Sequence, residues 1–548
     1  MEINVKKEGI FPVKIIYSEN VENVENLLKE RFLQVVAPNV SYTRLGKGGK
    51  IVLDFGKEVY GALRLLVNEM QQDVNASKIR ISLGESVAEA ITPIGKDGAN
   101  NYHSVRDGEY FLPWNCDFTT SRTGFRFAYI ELLNTDYLDI ACVIAETEMS
   151  LLEKKGFFRS DDELLNKIAE TAAYTATLCV QNDVIWDGVK RDRLVWMGDL
   201  HPEVMTLSSV YGAIPQIKNC LEFIDLYFPH SWANAIPAYS AWWIVCLAEY
   251  YMMSSDSEYV KKKIPYIHKI LEAFDKIILK DGSVSYEKND LFIFEGNEFY
   301  FDWPTNFTED SKVGWASLIK FAMEKAISIL MRFDEDCSLA QKISENIEKN
   351  PMFDSSFKQV EAFNLLSGRK SAAEVKETLL SRAGEGMTGF MGYYILTAAA
   401  SCGGEQEVLD MIKEYYGGML SLGATSFWED FDVKWLKDNP QAIDEMPCDN
   451  RKNIHRDYGK FCYTQLRHSL CHGWSAGVYA FLTQTVLGIT AIEPGYKKVK
   501  ISPNLIGLNW VEGSVPTPYG EIYVLHELVD GKICSKIQAP KEIEILKV

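Results

Sequence analysis

The densest polar stretch of the sequence is WDGVKRDRLVWMGD, from Trp186 to Asp199. It sets Asp187, Arg191, Asp192, Arg193 and Asp199 between two indoles, Trp186 and Trp196. A helix over 192–199 would put Asp192, Trp196 and Asp199 at i, i+4 and i+7, on one face. Pro202 marks the stretch as a helix junction. Two readings compete here. One is a solvated, self-paired Arg/Asp run. The other is a sugar cleft, in which indoles cover the apolar face of a pyranose and acids accept from its hydroxyls. The interleaved tryptophans favour the cleft.

The same pairing of indole and carboxylate recurs far away. TSFWEDFD carries Trp428 and Glu429, and NEFYFDWPTNF carries Asp302 and Trp303. SLCHGWSAG adds His472 and Trp474. Taken alone, the 297–307 and 425–432 loops read equally well as aromatic packing, and a lone histidine as a core residue. Carboxylates on different segments are what glycosidic cleavage requires: one protonates the leaving oxygen, and the other activates water or attacks. Sequence spacing carries no distances, so it does not separate inversion from retention.

These residues must be held by a large scaffold. The first 150 or so residues alternate apolar and polar in KIVLDFG (50–56), GALRLLVNE (61–69), SKIRISLGE (77–85) and FRFAYIELL (125–133), the pattern of a β-sandwich. Near residue 157 the texture changes. Ser160-Asp-Asp-Glu163 reads as a capping box ahead of ELLNKIAETAAYTATLCV. Helical periodicity recurs at 258–279, 313–332, 336–348, 372–382, 405–416 and 470–486. So many helices suggest a toroid or an α-solenoid, and the lack of a fixed repeat argues against a simple solenoid. Strand patterns return at 497–505, 520–529 and 532–540.

Composition excludes several functions. The 548 residues hold 57 Lys+Arg against 76 Asp+Glu, a net charge of −19. That balance disfavours nucleic acid and anionic membranes as partners. No run of 18 apolar residues suggests a membrane span. The N-terminal MEINVKKEGIFPVKII lacks the apolar core of a signal peptide, and the 11 cysteines form no CxxC pair. A cytoplasmic location with free thiols is expected. No metal-ligand spacing is visible, so neither metal nor cofactor is expected, and the oligomeric state is not encoded in any pattern found.

In order and content these motifs resemble the bacterial and fungal α-L-rhamnosidases of glycoside hydrolase family 78. That family's D-C-P-x-R-E-[KR]-L-x-W-x-G-D stands here as Asp187-Gly-Val-Lys-Arg191-Asp192-Arg193-Leu194-Val-Trp196-Met-Gly198-Asp199. Its G-A-T-T-x-W-E stands as Gly423-Ala-Thr-Ser-Phe-Trp428-Glu429, and its G-D-W resembles Phe301-Asp302-Trp303. Cys471-His472, Leu487-Gly-Ile489 and Pro494-Gly-Tyr-Lys497 resemble its closing motifs. The resemblance runs along essentially the whole chain. It implies a central all-α (α/α)6 barrel, a six-hairpin toroid, over 156–488. An N-terminal β-sandwich (1–155) and a small C-terminal β domain (489–548) would flank it. The implied activity is inverting, exo-acting release of a terminal rhamnose-type sugar from an oligosaccharide or glycoside. Asp192 would be the general acid and Glu429 the general base. Asp187, Arg191, Trp196, Asp199, Asp302, Trp303, Trp428 and His472 would bind the sugar.

The chain departs from the family pattern at the acid. Asp192 stands where the family usually has Glu, about 1.5 Å shorter in reach, and Gly188-Val189 replaces Cys-Pro. Misplacement by about 1 Å can cost ~100-fold in rate. Either the backbone moves inward, the substrate differs, or Asp199 or Asp187 serves as acid. An acidic role for Asp192 also requires Arg191 and Arg193 to point away from it, onto Asp187 or substrate. Two rivals remain. One is a uronate lyase or unsaturated-uronide hydrolase on the same barrel, recruiting Tyr300 and His472. The other is a non-catalytic carbohydrate-binding protein.

Overall fold

A computed structural model describes residues 5–36, 41–72, 74–286, 293, 295–461 and 463–547. The N-terminal region is sheet-rich. Its eight strands form one antiparallel network centred on Thr43–Met70, a 28-residue strand bent about Gly56. Gly56 has φ of +81°, which a side chain rarely adopts. Before the bend, residues 50–54 pair with Lys14–Glu22 and Thr123–Leu132; beyond it, residues 61–66 pair with Tyr137–Ser150. Leu53, Leu63, Ile81, Ile130 and Val143 fill the core of this region. The alternating segments at 50–56 and 61–69 are thus one bent strand.

The described residues between Glu163 and Val486 are mainly helical, with one short hairpin pairing Val180–Gln181 with Val184–Ile185. Central to this region is Pro237–Ser254, PAYSAWWIVCLAEYYMMS, almost wholly buried. Such all-round burial marks a core helix with no polar stripe. The neighbouring Ser257–Ile277 helix is amphipathic, with Tyr259, Ile267, Leu271 and Phe274 buried. Hydrophobic packing continues without a break into the C-terminal strands, through Leu487, Val511, Ile522 and Val524. Those strands form a four-stranded sheet and a three-stranded one. The four-stranded sheet takes Phe157–Ser160 as its edge, paired with Trp510–Thr517.

Three local expectations change. Ser160 is not a helix cap, because its backbone belongs to the Phe157–Ser160 strand. Asp162 caps Glu163–Cys179 instead, accepting from Leu165 N at 2.9 Å, while Ser160 Oγ bonds Asn166 and the Asp162 carbonyl. Residues 192–196 are not helical: Asp192 and Arg193 have left-handed φ of 54° and 57°, and the helix spans Met197–Tyr211. The 470–486 pattern is a tight turn (Gly473–Gly477), one α turn (Val478–Phe481) and a wide turn (Leu482–Val486). Among the described residues, no helix is long and apolar enough to cross a membrane.

Candidate active site

The acid-rich loop is fixed from both ends. Asp187 opens it: its N–H donates to Leu194 O at 3.1 Å, and its Oδ1 accepts from Leu194 N at 2.9 Å. Its carbonyl accepts from Gly473 N at 2.7 Å, and Gly188 bridges to His472 across the same contact. A Cβ on Gly188 would lie 2.8 Å from Cys471 O. The family's cysteine therefore has no room here, and its loss lets two backbones meet directly. At the other end, Asn234 Oδ1 accepts from Met197 N at 3.0 Å, and its Nδ2 donates to Val195 O at 3.0 Å. That borrowed cap starts the helix carrying Asp199, since Trp196 offers no capping oxygen. Gly198 lies under the Tyr239 ring, where a Cβ would fall 2.4 Å from Cε1.

Glu429 comes from a loop sewn to the 468–475 segment. Its N–H donates to Ser469 O at 3.0 Å, its Oε2 accepts from Ser469 N at 3.1 Å, and its carbonyl accepts from Trp474 Nε1 at 3.0 Å. The two motifs, distant in sequence, converge on a cavity of about 250 Å³. Asp187, Arg191, Asp192, Trp196, Asp199, Trp303, Glu429 and His472 all line it. Asp302 and Trp428 do not. Asp302 sits behind the wall and accepts from Trp303 N (2.9 Å), Thr388 Oγ1 (2.9 Å) and Gln359 Nε2 (3.2 Å). Trp428 is buried edge-on to Phe431.

Ile236, Tyr239, Asn297 and Arg467 also line the cavity, and nothing in the sequence reading marked them. Tyr300 and Trp474 line it as well. Tyr239 sits in an apolar helix without motif, and its neighbours in space are remote in sequence. The aromatic rings touch in series from Trp196 through Tyr239, Tyr300, Trp303 and Tyr463 to Trp474, with centroids 5.2–6.1 Å apart. Cavities of about 270 and 300 Å³ lie elsewhere, each with a single carboxylate, Glu249 or Glu272.

Charge in the site is uneven. Burial would raise the Glu429 carboxyl, but the Arg191 guanidinium hydrogen-bonded to it, with His472 and His468 nearby, holds it at about 2. Arg191 Nη1 also donates to Asp192 Oδ2 at 3.1 Å. The expectation that both arginines turn away from Asp192 is therefore met only by Arg193, which lies over Trp186 and reaches Arg122 O. Burial, with Asp199 and Asp192 near, pushes Asp187 well above the usual carboxylate range. Burial does the same to Asp199, against the hydrogen bond from Tyr239 at 3.2 Å. Burial lowers His472 to about 4, so its ring is neutral at pH 7. His472 Nε2 faces Asp187, Asp199 and Glu429 oxygens at 3.7, 3.7 and 3.6 Å, each just beyond hydrogen-bond reach.

A second buried cluster, Glu85, Glu89 and His455, has the spacing of a metal site. Lys190 Nζ occupies it, 3.2 Å from Glu85 Oε2 and 3.0 Å from Glu89 Oε1, and Arg106 pairs with Glu89. Both His455 nitrogens are engaged, by Ser86 Oγ at 2.7 Å and His468 O at 2.9 Å. The Lys190 ammonium thus stands where a cation would, and each of the three groups already has a partner from the protein.

The bacterial α-L-rhamnosidase six-hairpin glycosidase domain matches residues 153–312, and the bacterial α-L-rhamnosidase C-terminal domain matches 488–545. The sequence is 24% identical over 570 residues to an α-L-rhamnosidase of an Alteromonas species, covering 92% of this chain and 55% of that protein. Among solved structures, a family 78 rhamnosidase of a Bacillus species superposes with a TM-score of 0.75 at 20% identity, over 95% of this chain and 55% of that one. A rhamnosidase from Klebsiella oxytoca, solved with rhamnose bound, gives 0.70 at 18%, over 88% and 96%. The domain matched at 153–312 is of the six-hairpin glycosidase class. Within these matched stretches the chain is similar to α-L-rhamnosidases, and its fold is similar to that of family 78 rhamnosidases. It spans about half the length of the Alteromonas relative.

Proposed function

We propose that the protein is an inverting, exo-acting α-L-rhamnosidase that removes a terminal rhamnose-type sugar from an oligosaccharide or glycoside. The observation that carries this reading is the convergence of Asp192 and Glu429 on one aromatic-walled cavity. Among the described residues, twelve α-helices in succession from Glu163 to Phe481 support an (α/α)6 barrel around it. The change from sheet to helix and back supports domain limits near 155 and 488. The ten described cysteines are free thiols, which supports a reducing, cytoplasmic setting.

In this reaction Asp192 gives its proton to the glycosidic oxygen. The bond from that oxygen to the anomeric carbon breaks, with the electron pair staying on oxygen. Water attacks the opposite face, and its proton passes to Glu429. Glu429 is ionised at any working pH, as a base must be. The Arg191 guanidinium lies between the two carboxylates and keeps them apart, which supports room for a water and hence inversion. Sugar hydroxyls fit the gap that His472 leaves among three carboxylates.

A second assignment keeps the reaction and moves the acid. Asp199 faces the same cavity and, unlike Glu429, is pushed towards its protonated form. Replacing each group separates the two. Asp192→Asn and Glu429→Gln should each lower kcat on an aryl α-L-rhamnoside by about 10²–10⁴, and NMR should detect the β anomer first. If Asp192→Asn keeps near-unaltered turnover while Asp199→Asn loses it, Asp199 is the acid. If neither Asp192→Asn nor Glu429→Gln slows hydrolysis, the reading is wrong.

A further inference from the structure

The N-terminal sheet region does more than flank the site. A loop of that region, residues 100–106, reaches the carboxyl assigned as the acid. His103 Nδ1 lies 3.2 Å from the Asp192 backbone oxygen, and His103 Nε2 lies 3.6 Å from Asp192 Oδ1. Arg191 holds the other carboxyl oxygen, Oδ2, at 3.1 Å. Asp192 is thus gripped from two sides: by Arg191 from within the cavity, and by His103 from outside it. With Nδ1 donating to the carbonyl, Nε2 is left facing the carboxyl group.

The loop is built to hold this position. Asn101 Oδ1 accepts from Arg106 N (3.0 Å) and Asp107 N (3.1 Å), and Ser104 Oγ donates to Arg122 O at 2.7 Å. Asn100 Oδ1 accepts from Tyr102 N at 3.0 Å. The acid loop is tied to the same region at a further point, Gly124 N to Val189 O at 2.9 Å. Beside His103, its ring edge-on with centroids 6.4 Å apart, stands Tyr102, which is 63% exposed. An exposed aromatic on a braced loop next to a reacting carboxyl is out of place in a purely structural element.

Geometry decides what this loop faces. The acid must touch the glycosidic oxygen, and that oxygen carries the departing group. Whatever flanks Asp192 on the side away from the sugar cavity therefore flanks the leaving group. We propose that the 100–106 loop forms the leaving-group side of the site, with His103 positioning the Asp192 carboxyl and Tyr102 offering an aromatic face to a ring-bearing aglycone, either aryl or sugar. This rests on the glycosidase reading above. It makes the helical region the reader of the sugar and the sheet region the reader of what the sugar is attached to.

Three probes test it on the full chain: α-L-rhamnosyl fluoride, methyl α-L-rhamnoside and 4-nitrophenyl α-L-rhamnoside. Fluoride leaves without needing a proton and is too small to meet Tyr102. For His103→Ala, the ratio of kcat/KM on the methyl glycoside to that on the fluoride should fall about 10- to 100-fold, with the loss in kcat. His103→Asn, which keeps a donor where Nδ1 stood, should restore most of the ratio. For Tyr102→Ala, the ratio of nitrophenyl to methyl glycoside should fall about tenfold, with the loss in KM. A merely structural loop would lower all three substrates in the same proportion. Unmoved ratios would therefore overturn the proposal while leaving the glycosidase reading intact. No turnover of the fluoride by the unaltered protein would overturn both.

Discussion

Lys190 and Arg191 are neighbours in sequence and enter two opposite kinds of polar interior. Lys190 meets Glu85, Glu89 and the carbonyls of Leu466 and His468. Glu85 accepts in turn from Leu470 N at 2.6 Å and Ser469 Oγ at 3.3 Å. Lys190, Glu85 and Glu89 each have partners from the protein itself. Arg191 enters a cavity lined by four carboxylates, Asp187, Asp192, Asp199 and Glu429, by a second cation, Arg467, and by a neutral histidine. Arg191 Nε and His472 Nδ1 are buried with no protein partner. Buried polar atoms are costly unless something meets them. The saturated cluster binds two regions of the chain together. The other leaves two buried nitrogens unpaired beside a cavity, where a bound ligand would meet them. Charge density alone does not distinguish them, but completeness of hydrogen bonding does.

The sharpest test of that contrast is to unsaturate the first cluster. Lys190→Met keeps the stem but leaves Glu85 and Glu89 without their shared cation. Removing one partner of a buried network costs about 3–5 kcal/mol. Urea unfolding should show a loss of that size. Hydrolysis should weaken with it, because Lys190 anchors the loop that carries Asp192. Unfolding at an unaltered midpoint would mean that the cluster is not the clamp it resembles.

Much of this was legible in the sequence. The carboxylates of 186–199 and 425–432 reach one cavity, and of the indoles in those stretches Trp196 lines it while Trp186 and Trp428 do not. Alternating strands such as 520–529 were read to the residue, since one face is buried and the other is solvated. The helix at Pro237–Ser254 was not readable by periodicity: it is buried on all sides and has no polar face to mark its turn. Tyr239 was missed with it. Asp302 was drawn into the sugar site by its motif, and the packing of Thr388 and Gln359 around it depends on contacts no local pattern encodes. The capping box at Ser160 failed for a related reason. A distant strand, Trp510–Thr517, claims the backbone of residue 160.

Asp302 tests the contrast from the other direction, as a group beside the cavity whose donors are all supplied. Burial pushes its carboxyl up to about 7, against the hydrogen bonds it accepts. The folded chain therefore keeps a proton on Asp302 at pH values where the unfolded chain has released it. That proton stabilises the fold fully below about pH 4, and the stabilisation is lost as pH rises through about 7. The contribution is on the order of 4 kcal/mol. Asp302→Asn cannot titrate, so its stability should fall less than that of the unaltered protein between pH 4 and 7. Parallel pH curves would show that Asp302 is ionised throughout. A tenfold rise in KM would place it in contact with sugar after all.

Tyr239→Phe makes the smallest change, the loss of one oxygen within the unsaturated cluster. The phenol donates to Asp199 Oδ2 at 3.2 Å, while its ring packs edge-on to Trp196 and Tyr300. Phenylalanine keeps the ring and the wall it forms, so the fold should survive. Asp199 loses its stabilising donor, and burial then pushes its carboxyl further towards the protonated form. A single hydrogen bond to a charged group contributes about 1.5–3 kcal/mol, and the longer contact here places the effect near the lower end. The expected result is roughly a tenfold loss of kcat/KM on an aryl rhamnoside, carried by KM if Asp199 grips a sugar hydroxyl. If Asp199 is the proton donor, the loss moves into kcat instead, and the alkaline limb of the rate profile shifts to higher pH. Kinetics identical to those of the unaltered protein, with only a lowered melting temperature, would move Tyr239 and Asp199 to the saturated, structural side of the comparison.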